Sequence, residues 1–131
     1  MSEKRLLQVV VALGSLVPIS AGAAGIILGP DMVDAGAVQP GGDSHYRYLS
    51  GLLLGIGIAF ATTIPAIEHR SARFRLLTAI VVTGGLGRLV SLVVRGYPDR
   101  PMLFALAMEL IVTPALALWQ ARVARHGRLA L

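Results

Sequence analysis

The stretch VVTGGLGRLVSLVVRGYP, residues 81–98, decides how the chain is read. Its apolar run suits a helix in contact with hydrocarbon, yet Arg88 sits well inside it. An arginine at that depth costs roughly 2.5–3.5 kcal/mol on insertion scales. Something elsewhere in the chain has to offset it.

The surroundings support a bilayer. Of 131 residues, 55% are hydrophobic and only 15% are charged, and the mean hydropathy is +0.72. A soluble domain of this length needs more polar surface, so the composition points to an integral membrane protein. The net charge of +5 does not point to nucleic acid, because the basic residues form short clusters between apolar runs. That is the pattern of topology signals, not of a phosphate-binding face. With no cysteine, disulfides, thiol chemistry and zinc-thiolate sites are excluded.

Four apolar runs, 6–28, 46–67, 74–95 and 102–121, each come close to the ~20 residues a helix needs to cross the hydrocarbon core. Lipid offers no backbone partners, so the expected fold is all-α: one transmembrane domain over 1–131, an antiparallel up-down four-helix bundle. The breaks have turn chemistry: GPDMVDAGAVQPGGDS at 29–44, EHRSAR at 68–73 and GYPDRP at 96–101. The first run has a rival reading, since a basic start and small residues after an apolar stretch also describe a signal peptide cleaved near Ala24. Its continuation to Leu28 favours a retained span.

Lys4, Arg5, Arg70, Arg73, Arg75, Arg122, Arg125 and Arg128 fall on one side of the spans. Arg47, Arg95 and Arg100 fall on the other, with Asp31, Asp34, Asp43 and Asp99. The positive-inside rule then places both termini in the cytoplasm, Trp119 at the inner interface and Tyr46, Tyr48 and Tyr97 at the outer one.

Small residues mark expected helix contacts: Gly14, Pro18, Gly22, Gly25 and Gly29 in the first run, and Gly51, Gly55 and Ala59 in the second. Gly84, Gly87, Arg88, Ser91 and Arg95 do so in the third, and Ala105, Glu109, Val112 and Thr113 in the fourth. Pro18 and Pro114 are expected to kink their helices. Arg88 lies eight residues before Gly96, and Glu109 eight residues after Pro101, so both sit ~12 Å deep on consecutive antiparallel helices. Glu109 is therefore the expected partner of Arg88, either as a register-fixing ion pair or as part of a site. Asp43 or Ser44 is expected to cap the second helix. A polar pocket in the outer half is expected from Arg88, Glu109, Ser91, Tyr48, Arg47 and His45, with an anionic or carbonyl oxygen near the arginines. No spacing fits a metal, and GGLG at 84–87 is mid-span packing, not a phosphate loop. No cofactor is expected.

DSHYRYLSGLLLGIG (43–57), GGLGRLVSLVVRGYP (84–98) and MELIVTPALALWQ (108–120) together resemble the DUF4345 family of small four-helix bacterial membrane proteins. The resemblance covers nearly the whole chain. It implies a four-helix fold and a bacterial inner-membrane location, and no activity. The residues leave three classes of function. One is binding of a small polar or lipid-derived ligand, which convergent polar groups favour. Another is a structural role as a homo-oligomer or accessory subunit of a larger membrane complex. An intramembrane enzyme is the weakest, because a glutamate tied to an arginine is poorly placed to carry protons.

Overall fold

The computed structural model describes residues 1–33, 36 and 38–129, with Arg128 by its backbone alone. Asp34, one of the acids read as lying on the outer side, is outside the described residues. Among those described the chain is helical with no strand. Helix α1 spans Glu3–Leu28, α2 Pro40–Ala61, α3 Ser71–Arg95, α4 Arg100–Ala107 and α5 Thr113–Leu129. A π turn, Met108–Val112, joins α4 to α5, and short 3-10 turns occupy Pro30–Met32 and Ile64–His69.

Among the described residues, three helical lengths are long and apolar enough to cross a membrane: Glu3–Leu28, Ser71–Arg95 and Arg100–Gly127. Their surfaces agree with that environment. Leu13, Leu76, Val93 and Leu118 are 61%, 63%, 78% and 76% exposed, and side chains of this kind gain roughly 1.5–3 kcal/mol each on leaving water.

Helix α2 is displaced from its apolar run. It starts at Pro40, where a preset φ and a missing N–H suit the first helical position, so Gln39 is the N-cap. Asp43 and Ser44 therefore lie inside the helix, contrary to the expected capping role. The helix stops at Ala61 instead of 67. The Thr62 and Thr63 hydroxyls donate to the carbonyls of Ala59 and Phe60 at 2.6 and 2.7 Å, and Pro65 brings no N–H to continue the ladder.

The chain divides into two compact units, Gln8–Ile64 and Met1–Leu7 with Pro65–Leu131. In the first, α1 and α2 form a hairpin whose tight approach rests on glycine. A methyl group at Gly22 would lie 2.7 Å from the Ser50 carbonyl, and one at Gly57 would lie 2.8 Å from Ile19 and 3.0 Å from Pro18. The contact face of α2 thus carries Ser50, Leu54 and Gly57. In the expected stripe a Cβ at Gly51 would only touch Ile26, and one at Gly55 would meet nothing.

In the second unit α3 packs on α4, the π turn and α5. The contact-making glycine is Gly85, where a Cβ would fall 2.7 Å from Leu110 and 2.9 Å from the Glu109 Cβ. Gly84 and Gly87, read from spacing as the contact face, have open space before them. At one end Gln120 is fully buried, and its Nε2 donates to the Ile67 carbonyl at 2.7 Å and to Ser71 Oγ at 2.9 Å. Its Oε1 has no partner among the described residues. At the same end Lys4 donates to Glu68 at 2.7 Å. Glu3 accepts from Trp119 Nε1 at 3.2 Å and pairs with Arg122 at 3.1 Å. The start of α1, the turn before α3 and the last turns of α5 are tied together there.

Candidate functional site

Arg88 and Glu109 meet, as their matched depth predicts. Arg88 Nε donates to Glu109 Oε2 at 2.9 Å and Nη2 donates to Oε1 at 3.1 Å. This is a two-point fork in which one planar group faces another, the strongest common geometry for such a pair. The side chains are 33% and 18% exposed. Each charge offsets the penalty that the other would carry alone among apolar helices.

The third nitrogen is differently served. Arg88 Nη1 approaches Met102 Sδ at 3.0 Å. A thioether is a weak acceptor, while a guanidinium carries five N–H donors. The pair therefore closes off both carboxylate oxygens but leaves the Nη1 edge of the arginine poorly satisfied. Chemically the site can hold an acceptor oxygen at that edge.

Backbone irregularity places the carboxylate. Pro114 has no N–H for the Leu110 carbonyl, and its ring crowds that carbonyl. The helix answers with the wider turn Met108–Val112, in which the Thr113 N–H reaches back to the Met108 carbonyl. Thr113 Oγ1 donates to the same carbonyl at 2.7 Å. Glu109 lies in this turn, and π turns inside α-helices occur frequently at functional sites. Gly85, one turn before Arg88 on α3, lets the π turn come close. Asp99 caps the start of α4 by accepting from the Met102 N–H at 3.3 Å, which fixes the turn that carries Met102.

Ser91 lies one turn beyond Arg88 on α3 and is exposed. The other residues read as site members belong to the unit Gln8–Ile64. His45 is exposed and Tyr48 is 61% exposed. The Arg47 guanidinium is engaged within its own unit. Nε donates to Asp43 at 2.9 Å, and Nη1 donates to the Ile26 and Ile27 carbonyls, the latter at 3.3 Å. It thereby satisfies the open carbonyl end of α1. Gly29 behind it has φ +71, a backbone conformation that favours glycine, and a Cβ there would meet the end of the Arg47 side chain at 2.6 Å.

Sequence reasoning passed over Met102, Gly85 and the π turn. A proline five residues after an intramembrane glutamate, preceded by a threonine, was a legible sign of the turn. Nothing in the spacing distinguishes Gly85 from Gly84. No group of three or more metal-ligating side chains occurs among the described residues.

A family model described as "Domain of unknown function (DUF4345)" matches residues 6–120. No curated protein and no solved structure matches the chain.

Proposed function

Because the chain belongs to the DUF4345 family, which carries no activity to transfer, we propose from its own residues that it is a membrane protein that binds an oxygen-bearing small polar or lipid-derived ligand at Arg88. The observation that carries this is the Nη1 edge, a charged donor set against a thioether 3.0 Å away within an apolar span. A carbonyl, carboxylate or phosphate oxygen is a far better acceptor and would displace the Met102 sulfur. Ser91, one turn along the same helix, offers a hydroxyl to the same molecule. Glu109 holds the guanidinium in place and keeps the unliganded site electrically neutral. The four helices are proposed to form an up-down antiparallel bundle in a bacterial inner membrane, with both termini cytoplasmic. Support for that comes from the cation bias and from the contacts of Glu3 with Trp119 and Arg122, which join the start of α1 to α5.

The test compares wild type with Arg88→Met/Glu109→Gln, both purified in mild detergent, by native mass spectrometry and lipid extraction. The reading expects a small molecule or lipid that wild type retains and the folded double variant loses. Identical bound species in the two would overturn it. A second reading has its own support: the fork satisfies both oxygens of Glu109, as a purely structural pair would. In that case the double variant regains stability and nothing else changes.

A further inference from the structure

We propose that the end of the second unit where Glu3, Glu68 and Trp119 meet is a binding surface for the phosphate headgroup of an anionic phospholipid. It is separate from the Arg88 site and independent of that reading.

Three chain segments supply cations to this end: Lys4 and Arg5 from the start of α1, Arg70, Arg73 and Arg75 around the start of α3, and Arg122 and Arg125 from the last turns of α5. They are not merely near helix ends. Specific bonds hold the three segments to one another: Lys4 to Glu68, Glu3 to Arg122 and Trp119, and Gln120 to Ser71 and the Ile67 carbonyl. Two carboxylates lie among them, Glu3 and Glu68, and both are already paired. Arg5, Arg70, Arg75 and Arg125 are exposed and have no acid partner among the described residues. The uncompensated positive field is thus concentrated on these four.

An amphiphile fits better than a free anion because the apolar surface starts at once. Leu6 follows Arg5 and is 45% exposed, Leu76 follows Arg75 and is 63% exposed, and Ile80, one turn further on α3, is 45% exposed. Leu118 on α5 is 76% exposed. A phosphodiester on the arginines would therefore lay its acyl chains along these leucines and Ile80. The positive end of the α3 dipole adds to the attraction, since Arg70 at its N-cap makes no side-chain cap.

The experiment uses the full chain in detergent, titrated with phosphatidylglycerol, with phosphatidylcholine and with inorganic phosphate, and read by native mass spectrometry and thermal shift. Phosphatidylglycerol is expected to bind in preference to phosphatidylcholine, and the preference to fall as salt is raised. Inorganic phosphate at the same concentration is expected to give no shift. Each arginine near an anionic lipid surface is worth roughly fivefold in affinity. Arg70→Gln/Arg75→Gln/Arg125→Gln should therefore lose on the order of a hundredfold, while the corresponding triple lysine variant retains most of the preference. Arg88→Met/Glu109→Gln should keep the salt-sensitive preference for phosphatidylglycerol over phosphatidylcholine whatever ligand it loses at Arg88, which separates this surface from that site. Equal binding of the two lipids, a preference insensitive to salt, a glutamine variant that still discriminates, or a phosphate response equal to that of phosphatidylglycerol would each overturn the proposal. If the glutamine variant does not fold, the salt dependence of wild type and the lipid comparison still decide.

Discussion

Arg88 illustrates how a single residue can be read before its surroundings are known. A cation among apolar residues demands a counter-charge, and Glu109 was the carboxylate at matching depth. The fork between them gives a stability prediction. Arg88→Met or Glu109→Gln alone leaves the other charge without its partner and should cost about 3–5 kcal/mol. The double variant should recover much of that, as thermal melts in detergent would show. Two single variants that melt like wild type would mean that the pair contributes nothing. Met102 was not legible, because a methionine in an apolar run looks like packing, and only the direction of the Arg88 fork turns its sulfur into the third neighbour. Gly84 and Gly85 make the same point in reverse. Adjacent helical residues point about 100° apart, so the spacing that singled out Gly84 and Gly87 missed their neighbour Gly85, which touches the π turn. Gly85→Ala should cost roughly 1–3 kcal/mol through overlap with Leu110 and Glu109. Gly84→Ala should be neutral or stabilise by up to about 1 kcal/mol.

At the scale of the element, the length from Arg100 to Leu129 is one helix interrupted by a register change. Pro114 forces the π turn, and the turn aims Glu109. Pro114→Ala restores an N–H that can bond the Leu110 carbonyl, so a regular helix becomes available. Helix α4 would then rotate by about 100° relative to α5, taking Glu109 off Arg88. The expected signature is a loss of coupling: Glu109→Gln should cost about 3–5 kcal/mol in the native background and well under half of that in the Pro114→Ala background. An equal cost in both, measured by the same melts, would show that the π turn does not position the carboxylate. Helix existence was legible throughout because hydropathy and turn residues agree. The limits of α2 were not. Pro40, Thr62, Thr63 and Pro65 set them through backbone chemistry, while the apolar run at 46–67 reflects side-chain hydropathy alone.

For the molecule as a whole, the gathered helix ends give its stability a pH dependence. The Lys4 ammonium, hydrogen-bonded to Glu68, holds that carboxyl below its ordinary value of 4.5, against the opposing effect of burial. A carboxyl depressed in the folded state contributes stability that is fully present above its unfolded value and is lost as pH falls through the folded one. Lys4 is 41% exposed, so the contribution is at most about 1 kcal/mol. The melting temperature of wild type should exceed that of Glu68→Gln near neutral pH, and the gap should close as the pH falls below the ordinary carboxyl value and through the lowered folded one. A gap that widens on acidification would contradict the assignment.

The bond between Trp119 and Glu3 has a practical consequence. The chain contains one tryptophan, so all of its indole fluorescence comes from the place where the start of the first helix meets the middle of α5. The protein thus carries its own optical reporter. Its emission tracks the attachment of the amino-terminal segment to α5 without any label, and Glu3→Gln separates that signal from global unfolding.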